Sequence, residues 1–542
     1  MSVIVYSAAI ALVAWIIYTR KAAAPQKVNL PYVEFDDGNN SPERYRSDYE
    51  AILRKGYEQY TSKGLPYSMR DPNDPDRPLA MLPLKYVDEV KWIPEERISF
   101  WKHIDKQSIL TQIGGPGITE EVARAARQGL NKALVYLIED LQRACGVAYA
   151  KEMPSCPEWT TIPPYPLIMK VFASMSARMI VGPELCGFDS EWQQLSMEYV
   201  RNALSSPGKV KVAYPRWLYW LAQYTDSGVR KMRSIQEHAS QILTPILQNR
   251  IAATEELKAK GGNKSRGPRK YEDGVQWLLD AHSAHGKELS TTQLARDLFV
   301  IMTASIHSTT GAGLCILFDM MDHPDVIDEI RDEIRRVQGT LAGGIWTRAA
   351  LGELRLLDSF MRESARFHAL TQCKQASVAA LPFLNDRHNS ICANPFLCSL
   401  DTAVQRIPTT PWTFKDGLQI PPGTTFAFPS FHHNFDPKIH SNPEVFDAKR
   451  HLQKRGNLSD THKYHFASTS EDSVNWGAGR HACPGRFFAQ ETLKLMLMHL
   501  LMNYDIKHDK TLEDTPRFLN HNLFVIPNPA LPLLFKERKR AV

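Results

Sequence analysis

The stretch Asn475-Trp476-Gly477-Ala478-Gly479-Arg480-His481-Ala482-Cys483-Pro484-Gly485-Arg486 runs into an apolar segment, residues 487–502, whose pattern predicts a helix. Gly477, Gly479 and Gly485 permit backbone angles and close approaches that a side chain forbids, and Pro484 suits a first helical turn, so Cys483 is placed at a helix N-terminus. There the helix dipole and free N–H groups stabilise a thiolate. A lone cysteine is also, by default, a buried apolar residue. The segment needs support from the rest of the chain before it reads as chemistry.

The chain supplies room for a large core. Of its 542 residues 43% are hydrophobic and 23% charged, proportions that exclude a disordered or low-complexity chain. The formal charge of +6 is mild and no basic run is interleaved with aromatics, so a nucleic-acid partner is not expected. Eight cysteines without a C-x-x-C pair disfavour zinc ribbons, dithiol redox motifs and a disulfide scaffold, leaving reduced, intracellular thiols as the expectation.

Residues 3–18, VIVYSAAIALVAWIIY, carry no charge and span roughly 24 Å as a helix, short but usable for a membrane. Arg20, Lys21 and Lys27 follow the segment and no basic residue precedes it, so the positive-inside rule keeps the rest of the chain cytoplasmic. A cleaved signal peptide would need the opposite charge order. Residues 1–20 are therefore expected to be a transmembrane anchor, 21–35 a hinge stiffened by Pro25 and Pro31, and 36–542 one large domain. In a cytoplasmic body the sequons at Asn263 and Asn457 are chance matches.

Helical patterns dominate the body, at residues 166–181, 227–260 and 291–321, with short strand-like runs near the N-terminal part and in the last third. Residues 258–270, KAKGGNKSRGPRK, read as a surface loop. Ser290 and Gln293 match a capping box, and His323-Pro324 ends the helix they open, giving roughly 30 residues or about 46 Å. Its centre, Thr303-Ala304-Ser305-Ile306-His307-Ser308-Thr309-Thr310-Gly311, holds weak helix formers where a core helix should be strongest. Either the segment serves a site, or its hydroxyls bond back to the preceding turn and bend the helix.

The cysteine segment closely resembles the haem-binding loop of the cytochrome P-450 family, F-x-x-G-x-x-x-C-x-G, with Trp476 where phenylalanine is usual. The wording G-R-H-A-C-P-G-R-F-F-A looks like fungal, microsomal members. Four further matches follow in the family's order along essentially the whole chain. Glu363-Ser364-Ala365-Arg366 resembles the E-x-x-R helix, whose i,i+3 spacing puts both charges on one face. Phe446 to His451 resembles F-x-x-x-R, so Arg450 should complete a buried network with Glu363 and Arg366. The hydroxyl-rich helix centre falls at the family's proton-delivery motif, and the N-terminal segment with its prolines resembles the microsomal anchor.

The resemblance implies a mostly α fold with minor β, a single large P-450-type domain, and a haem b whose iron is ligated by the Cys483 thiolate. It implies electrons from NADPH through a partner reductase, dioxygen as oxidant, a lipophilic small-molecule substrate and the endoplasmic reticulum membrane as location. Aligned with the family, His307 stands at the usual acid and Ser308 at the usual threonine, with Thr309 as backup if the helix bulges. A histidine titrating near neutrality would feed protons through water. Arg406 is the first choice for a haem propionate partner, His481 the second and Arg127 the third.

One departure stands out: 40 positions separate Arg366 from Arg406, far more than the resemblance implies. Removing about residues 376–404 joins the flanks almost without a seam, so these residues are read as a retained untranslated segment, with a surface loop as the alternative. The expected activity is hydroxylation or epoxidation in fungal secondary metabolism, for instance of a terpenoid or indole alkaloid. An isomerase or dehydratase of the same fold that needs no external oxygen, and an inactive haem-binding membrane protein, are the other readings.

Overall fold

The computed structural model describes residues 28–72, 74–188, 190–259, 271–368, 402–456, 463–470, 473–521 and 524–539. The expected anchor, Pro25 of the hinge, most of the 258–270 loop, both sequons, and the 376–404 segment up to residue 401 lie outside the described residues. The chain divides into two compact units, Met1–His103 with Val404–Pro429, and Ile104–Ala403 with Ser430–Val542.

The first unit is built on a five-stranded sheet in the order Tyr67–Asp71, Asp74–Met81, Thr425–Pro429, Thr402–Pro408, Ile98–Ser99. The first pair is an antiparallel ribbon with Tyr67 opposite Met81, and Asp74–Met81 then pairs in parallel with Thr425–Pro429 in the register Ala80 to Phe426. Parallel pairing needs both faces covered. Accordingly all five residues of Thr425–Pro429 are buried.

The second unit is helical. Helix Thr291–Asp322 runs through its centre for 32 residues, against Pro164–Val181 on one side and Arg486–Asn503 on another. Gly313 makes the close approach possible, since a Cβ there would come within 2.8 Å of Met496 and 3.2 Å of Phe172. Among the described residues this is the one helix long and apolar enough to cross a membrane, but Leu294, Phe299, Leu314 and Phe318 on it are fully buried in protein. A three-stranded antiparallel sheet, Thr160–Ile162, Leu533–Glu537, Tyr504–His508, and the hairpin Phe518–His521 with Phe524–Pro527 complete the unit.

The fold is mostly α with minor β, as the sequence implied. Ser290 caps the central helix, its Oγ accepting from the Gln293 amide at 3.1 Å. The reciprocal half of the capping box is not made, because the Gln293 side chain donates instead to Asp297 one turn on, at 2.7 Å. The hydroxyls do bond back, from Thr303 to Phe299, Ser308 to Ala304, Thr309 to Ser305 and Thr310 to Ile306, all at 2.7–2.8 Å. The helix nevertheless runs unbroken through residues 303–311 and shows no bulge there.

Candidate haem-thiolate site

Cys483 sits in a loop held by its own backbone and by side chains from two other segments, Asn131 on the Pro484 carbonyl and Asn434 on Asn475. The Cys483 amide donates to the Trp476 carbonyl at 2.7 Å, closing a tight reversal made possible by positive φ at Gly477 (74°) and Gly479 (60°). A Cβ on Gly477 would also meet the His481 carbonyl at 3.2 Å. Gly485 differs from the expectation: its φ is an ordinary −85° and nothing crowds it, so it is the helix N-cap and needs no special conformation. The helix starts at Arg486, which places Pro484 before the cap instead of in the first turn.

The backbone N–H groups of Gly485 and Arg486 lie beside the half-buried Cys483 sulfur and favour negative charge on it, while the Arg486 amide donates to the Cys483 carbonyl at 3.5 Å. Burial pushes its thiol pKa up, and those two amides with the Arg486 charge pull against that rise. No other described cysteine receives amides from two other residues. Cys145 and Cys315 are buried with nothing comparable, and burial raises both. All five described cysteines are free. A metal that displaces the proton would find at Cys483 an anion whose donors are already in place.

Glu363, Arg366 and Arg450 come together, as the sequence implied. Arg366 grips Glu363 with two parallel bonds of 2.8 and 3.0 Å, and Arg450 Nε adds a third at 3.0 Å. Two more donors were not foreseen: the Asp447 amide at 3.0 Å and His451 Nε2 at 3.2 Å. Burial alone would raise the Glu363 pKa, but His451 and Arg366 outweigh it and hold the carboxyl well below its usual range. The free arms of the arginines reach carbonyls of residues 434 and 441–445, so the carboxylate anchors the whole segment leading to Arg450.

A second buried network escaped the sequence reading. Asp358, five residues before Glu363 on helix Arg355–Phe367, pairs with Lys494 at 2.9 Å, bonds Arg455, and accepts the Phe466 amide at 2.9 Å. Its carboxyl too is held low, since Lys494 and Arg455 overcome the effect of burial. The Phe466 carbonyl in turn accepts Trp476 Nε1 at 2.6 Å. Trp476, the departure from the usual phenylalanine, thus ties the cysteine loop through Phe466 and Asp358 to Lys494 on the helix that follows the cysteine. Asn475 braces the same loop from the other side, donating to the Ala365 carbonyl at 3.0 Å.

On the central helix His307, Ser308 and Thr309 follow one another, and Ala304, one turn before Ser308, is exposed among neighbours that are buried or half-buried. A methyl side chain there lets a flat ligand approach the helix backbone. The Ser308 hydroxyl is committed to the Ala304 carbonyl at 2.8 Å, while Thr309 is buried and bonded to Ser305. His307 Nδ1 lies 3.4 Å from the Tyr165 hydroxyl, and burial pushes its pKa down to about 4. It is therefore neutral at physiological pH, and the expectation that it titrates near neutrality fails because the ring is desolvated.

Arg406, in the first unit, is 2% exposed on strand Thr402–Pro408. Its guanidinium lies over the Phe100 ring at 4.9 Å and donates to the Gln405 carbonyl, and Nη2 has no hydrogen-bond partner among the described residues. Burial drags its pKa down to about 10. Arg127 lies in a π-helical turn, Ala125–Leu130, and pairs with Glu120 at 2.6 Å with a third of its side chain exposed. His481 closes the short turn Gly479–His481, two residues before the cysteine.

Comparison with known proteins bears on the family. The family model for cytochrome P-450 matches residues 126–377 and 398–535. The chain is 33% identical over 515 residues to cytochrome P-450 monooxygenase cheE of Chaetomium globosum, covering 95% of this chain and 92% of the relative. It is 32% identical to cytochrome P-450 monooxygenase ccsG of Aspergillus clavatus, over 91% of this chain and 90% of that one. Pyrichalasin C-7 hydroxylase of Pyricularia grisea is 31% identical, over 90% and 89%. With its cysteine loop, its Glu363-centred network and these relatives in agreement, the chain belongs to the cytochrome P-450 family of monooxygenases.

Proposed function

We propose that this monooxygenase hydroxylates or epoxidises a lipophilic fungal secondary metabolite, of the terpenoid or indole-alkaloid kind, at the endoplasmic reticulum membrane. Its electrons come from an NADPH-dependent cytochrome P-450 reductase. The observation that carries this reading is the Cys483 sulfur, already surrounded by the Gly485 and Arg486 amides at the mouth of a helix. That a relative is named a C-7 hydroxylase of pyrichalasin supports hydroxylation as the reaction type. The uncharged residues 3–18, with basic residues only after them, support a membrane anchor and a cytoplasmic body.

The residues fit a haem on three counts. Cys483 would hold the iron through a thiolate. The orphaned Nη2 of buried Arg406 fits a propionate oxygen, with His481 and then Arg127 as further partners. Exposed Ala304 leaves the middle of the central helix open to a flat group. When bound, the thiolate-ligated haem supplies dioxygen activation, with the thiolate favouring cleavage of the O–O bond.

The protein's own task is proton control and positioning. One oxygen atom enters the substrate and the other leaves as water, at a cost of two electrons and two protons. To act as donor the Ser308 hydroxyl must rotate away from the Ala304 carbonyl, an exchange of one hydrogen bond for another. Neutral His307 relays by accepting at one ring nitrogen and donating at the other. Thr309 is the weaker choice, since the unbroken helix keeps its hydroxyl on Ser305.

Residues 376–404 are proposed to be an insertion foreign to the working domain. The interruption of the family match between residues 377 and 398 supports an insertion over the middle of this segment, whereas residues 402–404 begin strand Thr402–Pro408 and Val404 is buried, with φ of 55° where the strand starts. The test is microsomal expression with reductase, with and without residues 376–404, followed by metabolite profiling. Oxidised product that requires both NADPH and dioxygen is expected. Product formed without either establishes the isomerase or dehydratase instead, and haem protein without turnover in both forms establishes the inactive one.

A further inference from the structure

Behind the Glu363 network lies a small, partly open chamber of about 10 Å³, bordered by Arg362, Arg366, Asn434, His440, His451 and Asn475 among others. That volume holds one water molecule and little more. Charged, imidazole and amide side chains border it, although its exposed lining is mainly apolar, and two of its residues have unmet needs. His440 is 2% exposed and neither ring nitrogen has a hydrogen-bond partner among the described residues; His451 is 3% exposed and its Nδ1 is in the same position. A dry chamber would leave three buried polar atoms unsatisfied, each a substantial penalty.

The charge of the wall suggests an anion at first sight, since Arg362 and Arg366 contribute two guanidiniums and Lys454 an ammonium. All five Arg366 hydrogens are committed, to Glu363 and the Asn434, Pro443 and Val445 carbonyls, and three of the five on Arg362 go to the Lys463 and His465 carbonyls and Ser470. The tautomer of His451 decides the matter. Its Nε2 faces a Glu363 carboxylate oxygen at 3.2 Å and so carries the hydrogen. Burial pushes the ring down to about 4, so the ring is neutral and Nδ1 presents a bare lone pair. A lone pair needs a donor; it repels an anion.

We infer that the chamber is a specific site for one structural water, which donates to His451 Nδ1 and bonds one of the two His440 ring nitrogens. The water completes the Glu363 network and reaches the cysteine loop through its neighbours. Asn434 donates both to the Arg366 carbonyl at 3.3 Å and to Asn475 Oδ1 at 3.2 Å, and Asn475 is adjacent to the tryptophan whose carbonyl holds the Cys483 amide. His440 is thus a positioning residue, acting on the loop through the water. The site stands on these contacts alone and does not depend on the haem reading.

The test is a high-resolution crystal structure of the full holoenzyme, solved from crystals in chloride and again with bromide in its place. One water-sized peak within bonding distance of His440 and His451, with no anomalous bromide signal, is expected. A bromide peak in the chamber, or no density, overturns the proposal. The His440→Leu variant gives an independent reading by its sign. In a hydrated chamber it removes a water partner, and native structure is lost about fivefold faster at fixed denaturant. In a dry chamber the same change removes two unsatisfied nitrogens and slows that loss, which refutes the water site. His440→Gln, which keeps a donor and an acceptor, should restore most of the original rate.

Discussion

Replacing Glu363 by Gln tests the network beneath the cysteine loop. Five donors converge on the Glu363 carboxylate: two from Arg366, one each from Arg450 and His451, and the Asp447 amide. Glutamine keeps one acceptor oxygen, turns the other into a donor that faces donors, and removes the negative charge from between two buried guanidiniums. Breaking a buried ion pair from one side costs about 3–5 kcal/mol. Against a net stability of roughly 5–15 kcal/mol, that is enough to deplete the folded holoprotein. The arginines' bonds to carbonyls of residues 434 and 441–445 survive, so the variant should fold partially and not vanish. The assay is the yield of protein with a thiolate-type carbon monoxide difference spectrum, together with its half-life at fixed denaturant. A double variant, Glu363→Gln with Arg366→Met, should recover part of the loss, because it no longer strands the Arg366 charge. Wild-type yield and half-life in Glu363→Gln would refute the reasoning.

Ser308→Ala should raise hydrogen peroxide release per NADPH consumed while changing substrate binding little; unchanged coupling removes Ser308 from the proton path. Trp476→Phe loses the bond to the Phe466 carbonyl, about 1 kcal/mol, and should shorten the half-life of the thiolate spectrum without abolishing haem binding. His499 stacks on Tyr149 at 4.3 Å, and burial pushes its pKa down to about 4 from an ordinary 6.5. Below pH 6.5 the unfolded chain therefore takes a proton that the folded one refuses, so stability falls as the pH drops from 6.5 toward 4. His499→Phe should flatten that decline, measured as denaturation against pH, and an identical decline in both proteins would contradict it.

Local chemistry made much of the architecture readable. Ser290 and Pro324 mark the ends of the central helix because capping and proline geometry act within a turn, and positive φ at Gly477 and Gly479 follows from the same local logic. Glu363 and Arg366 were legible by their spacing, and Arg450 only through the family resemblance. What escaped depends on which distant groups meet. The Gln293 side chain, whose oxygen would accept the Ser290 amide in a full capping box, instead reaches forward and donates to Asp297, so the box formed only in half. Asp358, Arg362 and Arg366 recur every fourth residue on a buried helix, a charged stripe that signalled partners, yet nothing local named Lys494 or Arg455. His307 was misjudged for a related reason: residue type suggests a neutral-range proton carrier, whereas desolvation by packing is a property of the assembled core.

The central claim is that the sulfur of Cys483 is an iron ligand. X-ray absorption at the iron edge of the purified full-length haem protein measures this directly. One sulfur scatterer in the first coordination sphere is expected, lost in Cys483→Ala and retained in Cys315→Ala. A porphyrin-free protein, or an iron bound only by nitrogen and oxygen in the unmodified chain, would contradict the account.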